Sequence, residues 1–118
     1  MERENVIKEK SYKFALRIVN LYKYLIENKR EFVLSKQILR SGTSIGANIE
    51  EGIGSQSKKD FINKFCIAHK EARETHYWIR LLRDSDFLEN HLSESLINDC
   101  DEILKITGKI ISTSRKSI

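Results

Sequence analysis

The chain has 118 residues, of which 40% are hydrophobic and 32% charged, with a net charge of +4 and no proline. This length and composition predict one soluble domain over residues 1–118 with its own hydrophobic core, and they exclude a disordered or membrane-spanning chain. The N-terminus has no apolar signal core and no stretch approaches about 20 consecutive apolar residues, so we expect a cytoplasmic protein.

Two helices are predicted in the first half of the chain from the spacing of its apolar residues. The first runs over about residues 4–28, with Phe14 and Ile18 on its apolar face. A connector of residues 28–31 follows. The second helix begins near Ser35, whose hydroxyl is a good N-cap.

Two further helices are predicted in the second half. The third begins at Ser57, which forms an S-x-x-D capping pattern with Asp60, and its apolar residues recur at spacings of three and four. The fourth begins around residues 91–93. Because no segment alternates with period two, we expect no strands. The predicted fold class is all-α, an antiparallel up-and-down four-helix bundle.

Glycine is concentrated in the second helix, since four of the chain's five glycines lie in SGTSIGANIEEGIGS (residues 41–55). A Walker loop is excluded because Gly42 and Gly46 are four positions apart rather than five, and Ala47 stands where its lysine belongs. We instead expect these two glycines to pack closely, for example against small residues of the third helix. We expect Gly52 or Gly54 to end the helix as a left-handed C-cap.

Charge is distributed unevenly along the chain. Residues 84–104 hold seven acidic residues and no Lys or Arg, whereas the segments before and after them are basic. This pattern fits either ion pairs between neighbouring helices or an oppositely charged partner. Glu50 and Glu51 fall in the last turn of the second helix, where the dipole disfavours acids, so they either pair with cations such as Lys58 and Lys59 or act outside local stability.

The spacings of known catalytic and metal centres are missing from the sequence. None of His69, His76 and His91 completes a Glu-x-x-His or His-Glu-x-x-His motif. Cys66, His69 and His76 share one helix face but span about 15 Å of rise, too far to meet at one ion. Cys66 and Cys100 have apolar neighbours, which favours buried free thiols. We therefore expect no metal, no cofactor and no enzymatic activity.

Two stretches carry a recognisable pattern. ILRSGTSIGANIEEG (residues 38–52) contains a Ser-Ile pair and an Asn-Ile-x-Glu-Gly helix end, and KKDFINKFCIAHKEARETHYWIRLL (residues 58–82) contains Glu-Ala-x-Glu-Thr-x-Tyr-Trp. Over about residues 10–112 the chain resembles the bacterial four helix bundle protein family, named for proteins encoded within 23S ribosomal RNA intervening sequences.

This resemblance implies an up-and-down bundle that assembles as a ring, a homopentamer, with no established enzymatic activity. The family is also similar to the accessory proteins of diversity-generating retroelements, which are basic pentameric barrels that bind nucleic acid and a reverse transcriptase. That second similarity is one of fold and does not by itself define a function.

The third helix has more large apolar residues than one stripe can bury. Tyr77, Trp78 and Leu81 therefore either form an oligomer interface, since a Tyr-Trp pair is typical of interface anchors, or belong to a central helix buried on two sides. Asn48 and Glu74, two polar positions of the family pattern, are expected to form a buried hydrogen-bond pair that sets helix register. A ligand site where subunits meet is the alternative.

Two functions compete. The first is a non-catalytic, ring-forming scaffold that binds nucleic acid, expected to be RNA, through its basic surface, including a basic C-terminal tail at about residues 112–118. The second is a protein-interaction adaptor that holds a partner protein and has no direct nucleic-acid role. The candidate nucleic-acid contacts are Lys8, Lys10, Lys13, Arg17, Lys36, Arg40, Lys58, Lys59, Arg115 and Lys116.

Overall fold

The computed structural model describes residues 2–117, which form four helices joined by short connections. The helices are α1 (Glu2–Asn28), α2 (Leu34–Ile53), α3 (Lys58–Asp84) and α4 (Asn90–Lys116). Within residues 2–117 each helix contacts the two beside it, the Cα atoms of diagonally opposite helices stay more than 8 Å apart, and there is no strand. The predicted all-α, antiparallel up-and-down four-helix bundle is therefore confirmed.

The core lies along the bundle axis and is built from the apolar stripe of each helix. Because residues three and four apart share one face of a helix, the predicted spacing places these side chains inward. The molecule measures 47 × 21 × 19 Å, so its long dimension is set by the 27-residue helices. Large side chains that are fully buried include Ile7, Phe14, Ile18, Ile38, Ile45, Phe65, Ile79, Leu82, Leu96 and Ile103.

Two glycines of α2 allow its neighbours to approach closely. A Cβ atom at Gly42 would lie 2.7 Å from Ile18 Cγ1 on α1, and one at Gly52 would lie 2.9 Å from the Phe65 ring on α3. Both distances are too short for a real Cβ atom. The predicted close packing is thus confirmed at Gly42, but against a large side chain rather than the small residues of α3. At Gly46, the other glycine of the prediction, a Cβ atom would make a looser contact, 3.4 Å from the carbonyl oxygen of Ser11 on α1.

The predicted left-handed C-cap of α2 is wrong. Gly54 has φ −82° and ψ 1°, and no glycine within residues 2–117 has positive φ. The helix end is closed in another way, because the Gly54 N–H donates to the Glu50 carbonyl at 3.1 Å and the Ser55 hydroxyl donates to the Gly52 carbonyl at 2.6 Å. These bonds satisfy the last carbonyls without a left-handed residue.

The N-cap of α2 also differs from the prediction. The carboxylate of Glu31 accepts hydrogen bonds from the backbone N–H groups of Ser35 at 2.7 Å, Leu34 at 3.0 Å and Val33 at 3.3 Å. Ser35 is inside the helix and buried, and its hydroxyl has no partner within residues 2–117. An acidic side chain from the connector therefore replaces the predicted serine cap, in agreement with the positive end of the helix dipole.

The ends of α3 and α4 are close to those predicted. Ser57 Oγ accepts from the Asp60 N–H at 3.0 Å, which confirms the predicted cap of α3. Helix α4 begins at Asn90, slightly before residues 91–93, because Glu89 Oε1 accepts from the Leu92 N–H at 2.7 Å. The predicted basic tail is helical as far as Lys116, and residue 118 lies outside the described part of the chain.

None of the four helices in the described chain is long and apolar enough to span a bilayer.

Candidate nucleic-acid interface

Ion pairs join α1 to the acidic part of α4. Lys10 pairs with Glu102, and Arg17 Nη1 lies 2.6 Å from Asp99 Oδ2. These pairs confirm ion pairing between neighbouring helices, one of the two interpretations of the uneven charge. Two of the three acids of residues 99–102 are therefore paired with cations of α1, while the third, Asp101, lies 3.0 Å from His76 Nε2 on α3.

The two glutamates at the end of α2 also pair with lysines. Glu50 Oε1 lies 3.7 Å from Lys8 Nζ on α1, and Glu51 Oε1 lies 2.8 Å from Lys64 Nζ on α3. Pairing of these glutamates with lysines is therefore confirmed. The lysines are Lys8 and Lys64, however, and not the predicted Lys58 and Lys59 at the start of α3.

Half of the ten predicted nucleic-acid contacts are engaged in such pairs. The engaged residues are Lys8, Lys10, Lys13, Arg17 and Arg40. Arg17 pairs with Asp99, and Arg40 pairs with both Glu71 and Glu74. The other five are Lys36, Lys58, Lys59, Arg115 and Lys116, none of which forms an ion pair with another described residue. Lys36 lies at one end of the bundle and the remaining four lie at the other.

An open groove with a cavity volume of 680 Å³ lies between α3 and α4 at this second end. Two cations line each side, Lys70 and Arg73 on α3 and Arg115 and Lys116 on α4, and no acidic residue lines it. None of the four forms an ion pair within residues 2–117. The rest of the lining is Cys66, His69, Gly108, Ile111 and Ser112. We call this site the α3–α4 groove.

The base of the α3–α4 groove is held by contacts between the two helices. The Arg115 guanidinium donates to Cys66 Sγ at 3.4 Å, and His69 Nδ1 lies 2.9 Å from Thr107 Oγ1. Burial, with a smaller contribution from the Arg73 guanidinium, lowers the pKa of His69 below 6.5. The imidazole is therefore neutral at pH 7, and the charge of the groove comes from its lysines and arginines.

Two of these four cations, Arg115 and Lys116, are among the nucleic-acid contacts predicted from the sequence. The other two, Lys70 and Arg73, are not among them. A signal was present, because Cys66, Lys70 and Arg73 recur about one turn apart on the edge of α3 that faces α4. The amino-acid sequence does not show which basic residues form ion pairs with acids on neighbouring helices, and this pairing determines which cations remain available to a ligand.

The predicted interface residues of α3 differ in exposure. Tyr77 is 49% exposed, whereas Trp78 is half-buried and packs against the core. Leu81 is half-buried as well. The Tyr77 and Trp78 rings meet edge to face with centroids 5.0 Å apart, and the Arg80 guanidinium lies 5.9 Å from the Tyr77 centroid. Tyr77 is thus the member of this group that offers most surface to a partner.

The predicted hydrogen-bond pair between Asn48 and Glu74 is wrong. Asn48 Nδ2 donates to the Ser44 carbonyl of its own helix at 2.8 Å. Glu74 instead pairs with Arg40 and accepts from Trp78 Nε1 at 3.4 Å. The short Asn48 side chain is satisfied within α2, while the long Arg40 side chain bridges from α2 to α3.

The two thiols have different environments. Cys100 is buried as predicted, its thiol donates to the Ala72 carbonyl at 3.1 Å, and burial raises its pKa to about 12. Cys66 is only half-buried, because it lines the α3–α4 groove. Among residues 2–117 no three His, Cys, Asp or Glu side chains lie close enough together to hold a metal ion.

Comparison with known proteins agrees with this architecture. Residues 3–109 match the sequence model of a family described as 23S rRNA-intervening sequence protein. A crystal structure of a protein with unknown function from the S23 ribosomal protein family of Bacteroides thetaiotaomicron VPI-5482 is 55% identical, with a TM-score of 0.92, covering 93% of this chain and 98% of that one. No curated protein matches the chain. With most of its length matched, the chain belongs to the 23S rRNA-intervening sequence protein family.

Proposed function

We propose that this protein is a non-catalytic, self-assembling scaffold that binds RNA at the α3–α4 groove. The observation that carries the proposal is the set of four cations, Lys70, Arg73, Arg115 and Lys116, that line one groove without an acidic residue or an ion pair in the described chain. The family is named for an intervening sequence of 23S rRNA, which makes RNA the first nucleic acid to test.

Unpaired cations matter because they determine the electrostatic affinity for a polyanion. A lysine or arginine that contacts a phosphate releases condensed counterions, whereas one already paired with a carboxylate contributes little. Lys58 and Lys59 lie at the same end of the bundle and extend this basic surface. Self-assembly would multiply the surface, so that even modest binding by one subunit gives tight binding by the assembly.

The proposal is tested by fluorescence anisotropy with a labelled RNA at 50–300 mM salt. We expect log Kd to rise linearly with log salt concentration, and Lys70→Glu/Arg73→Glu to weaken binding at least tenfold. The matched control is Lys13→Glu/Lys23→Glu, which makes the same change of charge on the exposed side of α1. Equal losses in both variants would show that net charge, and not the groove, governs binding.

Self-assembly is supported by exposed apolar residues and by charges on opposite edges of the bundle. Phe32 and Val33 are 51% and 70% exposed on the α1–α2 loop, beside Lys29 and Arg30. The α3–α4 loop, at the same end but on the opposite edge, is acidic over residues 84–89. A second copy of the chain could therefore place its acidic edge against the apolar and basic edge of the first.

A front-to-back contact of this kind is heterologous and closes into a ring when the rotation between subunits allows it. Light scattering of the purified protein measures its molar mass directly, and we expect about five times the mass of one chain from the family resemblance. Phe32→Ser/Val33→Ser should lower that mass. A wild-type protein that remains monomeric at all concentrations would overturn the self-assembly part of the proposal.

The protein-interaction adaptor is the second candidate, and the exposed Phe32 and Val33 side chains are the observation that favours it. An adaptor would bind a partner protein at high salt and would not respond to RNA. If the wild-type protein assembles but binds neither RNA nor DNA at 50 mM salt, the adaptor replaces the nucleic-acid scaffold.

A further inference from the structure

We infer that the α3–α4 groove accepts an unpaired single strand, with a base on the floor of the groove, rather than the outside of a duplex. This inference rests on the proposed RNA binding and names the kind of RNA segment that the site takes.

The first support is the position of the cations on both walls. Lys70 and Arg73 line the α3 side, and Arg115 and Lys116 line the α4 side. Adjacent helix axes lie about 8–10 Å apart, so the space between these walls is far narrower than a duplex. A single phosphodiester backbone can enter and meet cations from both sides, whereas a duplex can touch only their outer tips.

The second support is the floor, whose own side chains are uncharged at pH 7, with the Arg115 guanidinium in contact with Cys66 at its edge. The floor is formed by Gly108 and Ile111 of α4 with Cys66 and the neutral His69 of α3. A Cβ atom at Gly108 would have a single neighbour within 4 Å, His69 Cε1 at 3.5 Å, so the floor is open above this glycine. Uncharged and apolar surface between cations suits the face of an unstacked base, which is hidden in a duplex.

The third support is the hydrogen bonding of His69. The Thr107 hydroxyl has backbone acceptors in the Ile103 carbonyl at 2.8 Å and the Leu104 carbonyl at 3.3 Å, so we assign its one proton to the backbone. On that assignment, Thr107 Oγ1 accepts from His69 Nδ1–H at 2.9 Å. The neutral ring then has an unprotonated Nε2, which forms no hydrogen bond with residues 2–117. It can accept from a base N–H group or a ribose 2′-hydroxyl, both of which an unpaired nucleotide offers.

The volume agrees with this assignment. Sites of about 300–1,000 Å³ hold ligands of drug size, and the 680 Å³ of the groove lies within that range. One or two nucleotides fit, and the chain on either side would continue over Lys58 and Lys59 at the end of the bundle.

The test distinguishes the contribution of the groove floor to RNA binding from the contribution of the cations. Gly108→Leu fills the floor without changing a charge, and Ala47→Leu adds the same side chain at an exposed position of α2 as the matched control. The probes are a labelled 12-nucleotide RNA without secondary structure and a blunt 12-base-pair RNA duplex, at one salt concentration. Gly108→Ser is the second variant should leucine impair folding, which circular dichroism and the melting temperature report.

We expect the wild-type protein to bind the single strand about tenfold more tightly than the duplex, and Gly108→Leu to remove most of that preference. The affinity for the duplex, and the slope of log Kd against log salt concentration, should be the same in the wild-type protein and in the Gly108→Leu variant. Equal wild-type affinity for the two probes, or a Gly108→Leu variant that weakens them alike, overturns the single-strand inference while leaving RNA binding intact. Failure to bind either probe at 50 mM salt overturns the proposed RNA binding itself.

Discussion

At the scale of single residues, two glycines inside helices illustrate opposite situations. A Cβ atom at Gly42 would lie 2.7 Å from Ile18 Cγ1, whereas one at Gly108 would make only an ordinary contact, 3.5 Å from His69 Cε1. Alanine is favoured over glycine inside a helix by about 0.5–1 kcal/mol. Alanine at position 108 should therefore gain this helix preference without a steric cost, whereas at position 42 the clash with Ile18 should outweigh it.

We predict that Gly108→Ala raises the free energy of unfolding by about 0.5–1 kcal/mol and that Gly42→Ala lowers it by about 1–3 kcal/mol. Urea denaturation of the two variants beside the wild-type protein measures both changes, and each variant serves as the control for the other. A rise in both variants would contradict the packing described for Gly42, and a fall in both would contradict the open space described for Gly108.

His69 gives a prediction for pH. Its pKa in the folded protein is lowered below 6.5 by burial and by Arg73, so the unfolded chain binds more protons as the pH falls through the region of 6.5. The contribution of this histidine to stability is complete above that region and is lost at lower pH. We predict that the wild-type protein loses more stability between pH 7 and pH 5 than His69→Gln does.

Urea denaturation of both proteins at pH 5, 6, 7 and 8 provides the measurement. His76 and His91 are present in both proteins, so the comparison isolates the effect of His69. Parallel stability curves would mean that the folded protein does not favour the neutral form of His69.

At the scale of elements, helix number and helix faces could be predicted, but the chemistry of the caps could not be predicted in full. Apolar spacing is local in sequence, so it places Phe14 and Phe65 correctly in the core. The cap of α2 depends on the path of the connector, in which Arg30 adopts a positive φ of 54° and Glu31 turns back to the first N–H groups. Packing buries Ser35, the residue that intrinsic preference favours as the cap.

We predict that Glu31→Ala destabilises the protein by about 1–2 kcal/mol, because three N–H groups at the start of α2 lose their acceptor. Glu31→Gln retains one acceptor oxygen and should cost less. Thermal or urea unfolding of both variants measures the difference. If alanine and glutamine at this position leave stability unchanged, water satisfies these groups as well as the carboxylate does.

At the scale of the whole molecule, the candidate site could be predicted only in part because free charge is a property of the assembled bundle. The sequence shows which residues are basic, yet only packing determines that Lys10 and Arg17 lie against Glu102 and Asp99. The same packing leaves Lys70 and Arg73 without an acid among the described residues.

The difference between paired and unpaired cations leads to a prediction about the side of the bundle formed by α1 and α4. Asp99→Asn/Glu102→Gln removes the partners of Arg17 and Lys10 on the side of the bundle formed by α1 and α4. Two cations become available to phosphates there, so we predict tighter binding of duplex and single-stranded RNA alike. The slope of log Kd against log salt concentration should become steeper by about two.

The control for this effect is Glu27→Gln/Glu94→Gln, which makes the same change in net charge with exposed acids that form no ion pair within residues 2–117. Removing them frees no cation, so the salt slope should stay near that of the wild-type protein. Equal steepening in both variants would show that net charge controls affinity. A steeper slope in the first variant alone would mean that α4 uses its acids to keep α1 from binding RNA, which restricts the ligand to the α3–α4 groove.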